Sequence, residues 1–170
     1  MRRLSVIFAV GAALVVPVVA FAGIGSSTDG SLVVQHGSAP VGTPVVFLTI
    51  TGSVIGTVYH GRIVIDGGPN VDPSQAPQVT PNAQCVTPVG ETVRRCNGDN
   101  FSFRAVGGKY TVLVYGTNVN VVAVGTGTVK LAGMPDTPRG DGRYSLNGDD
   151  FVSLPGSQTD KLVIASTSNG

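Results

Sequence analysis

The chain has 170 residues, of which 12% are charged, with eleven Lys and Arg facing ten Asp and Glu. A balance so close to neutral excludes the basic footprint that phosphate binding requires, and outside Arg94-Arg95 the cationic residues are scattered, so no nucleic-acid partner is expected. Low charge with abundant Val, Thr and Gly equally excludes a solvated disordered chain and points to a compact β protein.

The amino terminus has the three parts of a secretory signal. Arg2 and Arg3 supply positive charge, Leu4 to Val19 an apolar stretch, and Ala20-Phe21-Ala22 the small residues that signal peptidase reads. The apolar stretch falls short of the ~20 residues that a bilayer span needs, and Pro17 interrupts it. Residues 1–22 are therefore read as a signal peptide cleaved between Ala22 and Gly23, leaving 23–170 as a single soluble β domain. No cysteine follows the cleavage site to carry a lipid, so no membrane partner is expected after cleavage, and the expected location is secreted and extracellular.

In chain order, period-two alternation and glycine punctuation predict strands at Leu32 to His36, Val45 to Thr51, Val54 to Tyr59 and Arg62 to Asp66. Gly67 to Asn100 follows, rich in Pro, Gln, Asn and Thr and poor in periodicity. It is predicted to be one long irregular loop, either a crossover or a presented recognition segment. The only two cysteines, Cys85 and Cys96, lie inside it, and an exported pair is expected to close as a disulfide. A second set of strands is predicted at Phe101 to Val106, Lys109 to Gly116, Val119 to Val124 and Thr128 to Ala132. Three more, Arg143 to Leu146, Phe151 to Leu154 and Leu162 to Ala165, end the series.

Pro44 to Gly67 aligns with Tyr110 to Gly133 without a gap at a constant offset of 66. Thr51/Thr117, Val58/Val124, Gly61/Gly127 and Gly67/Gly133 are identical, and Phe47, Leu48, Ile63 and Ile65 fall on Leu113, Val114, Val129 and Leu131. Duplication and shared composition both account for this pattern. The predicted fold is all-β, a sandwich or barrel built from two similar four-stranded units plus C-terminal strands. Val45 to Val58 and Val112 to Val124 are nearly continuous in apolar residues and Thr, so they are placed centrally in the core, with a homo-oligomer interface as the competing reading.

Candidate chemistry is sparse. His36 and His60 both sit at predicted strand ends, and with Asp66 they could form a metal or acid-base site. Asn97-Gly98-Asp99-Asn100-Phe101 and Asn147-Gly148-Asp149-Asp150-Phe151 repeat one pattern, with Asp136 and Asp141 upstream of the second copy. Asn-Gly is a preferred tight-turn centre, so both copies are read as turns; the oxygen-rich alternative is a calcium site using Asp141, Asn147, Asp149 and Asp150. No cofactor is called for. G-x-S-x-G, H-E-x-x-H and P-loop motifs do not occur in the sequence.

Phe103-Arg104-Ala105-Val106-Gly107-Gly108-Lys109-Tyr110, followed by Gly142-Arg143-Tyr144-Ser145-Leu146-Asn147-Gly148, Phe151 and Leu154-Pro155, resembles a group of small exported actinobacterial proteins of unassigned function. The resemblance covers the last third to half of the chain and implies a bacterial extracellular β domain. Two functions follow from the residues. One is an exported non-enzymatic module with a structural or binding role toward a protein or cell-wall ligand. The other is an exported hydrolase or metal-dependent enzyme whose site is assembled from scattered His and Asp.

Overall fold

The computed structural model describes residues 29–68, 76–134 and 142–165. The signal segment, its cleavage point at Ala22 and Gly23, and the acidic residues Asp136 and Asp141 lie outside these. The described residues form one antiparallel sheet of nine strands and contain no helix. In order these are β1 (Gly30–Gly37), β2 (Val46–Asp66), β3 (Gln78–Thr80), β4 (Ala83–Val86), β5 (Val93–Thr117), β6 (Val119–Leu131), β7 (Arg143–Leu146), β8 (Val152–Ser153) and β9 (Leu162–Ile164).

Two of these strands are far longer than the usual five or six residues: β2 has 21 and β5 has 25. Their sequences explain it. They are rich in Val, Ile, Thr, Phe and Tyr, and neither contains a proline, whose missing N–H would break the ladder. Predicted strand pairs therefore merge. Val45 to Thr51, Val54 to Tyr59 and Arg62 to Asp66 run together in β2, while Phe101 to Val106 joins Lys109 to Gly116 in β5.

The pairing of β2 defines the architecture. One edge pairs with β6 from Val46↔Leu131 to Thr57↔Asn120. It then continues in unchanged register along the end of β5, from His60↔Thr117 to Asp66↔Thr111. The other edge pairs with β5 from Val46↔Val114 to Asp66↔Val93. Val114 thus faces Val46 on one side and Ile63 on the other. The β2/β5 ribbon has wound round until it meets its own edge, so the sheet is barrel-like and β2 is paired along both edges.

The expected all-β, barrel-like fold is thus present as one sheet of nine strands. The two stretches that align at the offset of 66 are neighbouring partners in one ladder of that sheet. The first runs on through Gly52, whereas the second breaks at Asn118, which has φ 49°.

Winding a ribbon this tightly needs places where two backbones touch. Gly52 faces Gly125 across the ladder, both with positive φ (149° and 146°), and a Cβ on Gly52 would lie 2.2 Å from the Val124 carbonyl oxygen. Gly61 faces Gly116 in the same way, where a Cβ would meet the Tyr115 oxygen at 2.0 Å. These glycines, read from sequence as strand boundaries, are bends inside continuous strands.

The interior is filled from all sides of the coil. Leu32, Leu48, Ile50, Ile63, Ile65, Phe101, Val112, Leu131 and Ile164 are buried, as are Val46, Val54 and Val58. Alternate residues of Val45 to Val58 and of Val112 to Val124 pack into this core, while Phe47, Thr51 and Thr57 face outward. Tyr110 is also buried, and its hydroxyl donates to the Val106 carbonyl at 3.0 Å. Burial raises its pKa above the ordinary tyrosine value. A raised folded pKa means that stability is intact below the unfolded value of about 10 and falls as pH rises beyond it. Thermal melts should accordingly lose stability as pH rises above about 10. Tyr110→Phe should flatten that limb; an identical alkaline limb would exclude Tyr110 as its source.

The predicted irregular segment from Gly67 to Asn100 is more regular than its composition indicated. It contains β3, β4 and the first residues of β5. β3 pairs through Val79↔Phe103 and β4 through Cys85↔Cys96, covering the outer edge of β5. The disulfide is present between Cys85 and Cys96, joining two directly opposed residues.

Candidate functional site

The two Asn-Gly-Asp segments have different fates. Asn147 and Gly148 form the tight turn expected after β7, with φ 53° and 87°, and the Asp149 N–H donates to the Leu146 carbonyl at 3.0 Å. Asn97 to Asn100 is instead strand, paired with β2 through Gly98↔Gly61 and with β4 through Gly98↔Ala83. Neighbours on both edges overrode its local turn preference.

The Asn147 amide is committed to structure. Its Nδ2 donates to the Val163 carbonyl at 3.0 Å and its Oδ1 accepts from the Ala165 N–H at 3.2 Å, so the side chain pairs with β9 as a strand would. Asp149 and Asp150 are exposed beside it. Among the described residues, no group of three or more His, Cys, Asp or Glu is placed to hold a metal ion. Asn147→Ala should cost on the order of 1–2 kcal/mol, from the two lost bonds, and should loosen β9 first. Hydrogen exchange reads this directly; unchanged protection at residues 162–165 would contradict the assignment.

The histidines do not converge with Asp66. His60 sits at the bend of β2, opposite both Asp99 and Thr117, and its Nδ1 makes a close contact with the Asp99 carboxylate. Both side chains are largely exposed, so the pair contributes little to stability. Asp66 is at the far end of β2, where it accepts from the Thr92 hydroxyl at 2.6 Å and the Gly68 N–H at 2.9 Å. The Thr92 hydroxyl and then the Gly68 amide hold its pKa below the ordinary carboxylate value.

His36 belongs to a different network. It adopts φ 53°, its N–H donates to Asn120 Oδ1 at 3.1 Å, and its Nδ1 lies 2.8 Å from Asn118 Oδ1. Asn118 N–H donates to Ser38 Oγ at 3.1 Å, while Asn120 Nδ2 donates to the Asn118 carbonyl at 3.3 Å. The end of β1 is thereby tied to the β5–β6 junction through two amides, a hydroxyl and an imidazole.

Beside this network is an open cleft of about 240 Å³, lined by Thr57, Val58, Tyr59, Pro81, Asn100, Phe101, Ser102, Asn118 and Asn120. Its floor follows from strand pairing. Ser102 is opposite Thr57, and Thr57 is opposite Asn120, so a hydroxyl, a hydroxyl and an amide cross three adjacent strands in one row. Asn100 and Asn118 stand at the end of this row with left-handed backbones, φ 50° and 49°. Asparagine tolerates that region better than other residues with a Cβ.

Sequence reasoning missed this cleft. The available signal was Asn118-Val119-Asn120 interrupting the apolar run of residues 112–124, two amides spaced to share a strand face. Their partners Thr57, Asn100 and Ser102 are distant in sequence and carry no motif. No protein-family model matches this chain, and no curated protein or solved structure matches it either.

Proposed function

We propose that the chain is an exported, non-catalytic β-barrel module with a binding or structural role at the cell envelope or in the surrounding medium. The single observation that carries this reading is the His36–Asn118–Asn120 network beside the cleft. Its groups are amides, a hydroxyl and one imidazole joined to each other, an arrangement that fixes a recognition surface. The cross-strand disulfide supports an oxidising location, where a pair of this kind persists. The proposed placement among small exported actinobacterial proteins agrees with the same location, and a protein or cell-wall ligand is the partner class that it implies.

The His60–Asp99 contact favours a second reading, an exported hydrolase that uses His60 as a general base. Assays with p-nitrophenyl acetate and a set of p-nitrophenyl glycosides separate the two. The module reading expects any residual hydrolysis to be unchanged in His36→Ala and His60→Ala. Turnover that falls a hundredfold or more in His60→Ala would establish the hydrolase.

A further inference from the structure

We propose that the cleft bounded by Tyr59, Asn100, Asn118 and Asn120 binds one ring of a neutral polyhydroxylated ligand, a unit of an uncharged glycan. The inference rests on the module reading above and adds the ligand class.

Four observations lead to it. The polar groups of the lining are hydroxyls and amides: Thr57, Ser102, the Tyr59 phenol, Asn100, Asn118 and Asn120, with no Lys, Arg, Asp or Glu among them. An amide offers a donor and an acceptor side by side, which complements the paired donor and acceptor character of adjacent sugar hydroxyls. An anionic ligand would call for cationic groups or clustered N–H donors, which this lining lacks.

Second, the amides have capacity to spare. Asn120 is held by His36 and Asn118, so its orientation is preset. Among the described residues, neither the Asn100 side chain nor Asn118 Nδ2 has a hydrogen-bond partner within the protein. These amide groups are the ones available to a ligand.

Third, the apolar lining suits the C–H face of a sugar ring. Tyr59 is 58% exposed, and Pro81 is also part of the cleft lining. An exposed aromatic with a polar tip and a rigid proline ring in one lining supply apolar contact area at low entropic cost. Fourth, the volume of about 240 Å³ lies below the 300–1,000 Å³ usual for enclosed small-molecule sites. The open cleft therefore fits one unit of a chain that continues over the surface.

The test is a titration of the 15N-labelled, oxidised mature chain with methyl β-glucoside, methyl α-mannoside and N-acetylglucosamine, with glucuronate and inorganic phosphate as charged comparators. At least one neutral sugar should give saturable shifts at Tyr59 and at the side-chain amides of Asn100 and Asn118. For a ring of about a dozen heavy atoms the dissociation constant should be on the order of 1 mM or weaker. Tyr59→Ala, at an exposed position, should weaken binding about tenfold with an unchanged melting temperature, and Asn100→Gly, which keeps the left-handed backbone without strain, should do the same. No response to any neutral sugar at 100 mM would overturn the inference, as would binding by the charged comparators alone. Saturable shifts on another face would overturn the cleft assignment and leave the module reading standing. Cleavage of a matching glycoside that requires His60 would overturn both.

Discussion

Gly52→Ala and Gly125→Ala are each expected to lower the folding stability by about 3 kcal/mol or more, a loss of roughly 6–12 °C in melting temperature for a domain of this size. The two glycines face each other where β2 and β6 bend together. A methyl on Gly52 would stand 2.2 Å from the Val124 oxygen and 2.8 Å from the Gly125 Cα. A methyl on Gly125 would stand 2.2 Å from the Thr51 oxygen. Every one of these contacts is to backbone, so no rotamer change relieves it, and the strands must separate within a ladder that pairs on both sides.

Two comparisons isolate the cause. Gly42 also has positive φ, 90°, but a Cβ there meets nothing within 4 Å, so Gly42→Ala should cost only the backbone strain of about 1 kcal/mol. Gly61 needs no positive φ, yet its Cβ would lie 2.0 Å from the Tyr115 oxygen, so Gly61→Ala should be as damaging as Gly52→Ala. Denaturant unfolding of the four variants reads the differences. Equal, small effects at Gly42, Gly52 and Gly61 would mean that the strands do not touch at these bends.

Reduction of Cys85–Cys96, or Cys85→Ala with Cys96→Ala, is expected to cost about 3 kcal/mol. A bridge between residues eleven apart removes that much chain entropy from the unfolded state. The effect should also be local. β4 has four residues and pairs only with β5 among the described strands, so the bridge is the firmest tie of this short strand to the barrel. Val79 and Cys96 are both buried against the core, and loosening β4 exposes that margin. Hydrogen exchange should rise most at residues 83–86 while the β2/β6 ladder keeps its protection. An unchanged melting temperature under reducing conditions would contradict this role.

The fold class was legible because period-two alternation is a direct consequence of strand geometry. Phe101, Phe103 and Ala105, and likewise Ile63 and Ile65, are buried where the alternation places them. Strand boundaries were not legible, since the same residue type serves two purposes. Gly52, Gly61 and Gly125 fell between predicted strands, but each sits within a strand at a close backbone approach that exists only when the ribbon has wound round. Asn97 to Asn100 shows the same limit: its local preference for a turn yields to pairing with β2 and β4 on either side.

The disulfide was legible from the count and context of the cysteines. The asparagine cleft was not, because its row takes Ser102, Thr57 and Asn120 from three strands that only register brings side by side. The histidines were visible as candidates, yet sequence proximity associated His60 with Asp66, whereas the bend of β2 presents it to Asp99.

The most direct test of the proposed export is the intact mass of the protein recovered from culture medium under native, non-reducing conditions. The account predicts a chain beginning at Gly23, lighter by two hydrogens than the sum of its residues because Cys85 and Cys96 are joined. A chain retained in the cells with Met1 to Ala22 still attached and both thiols free would contradict it.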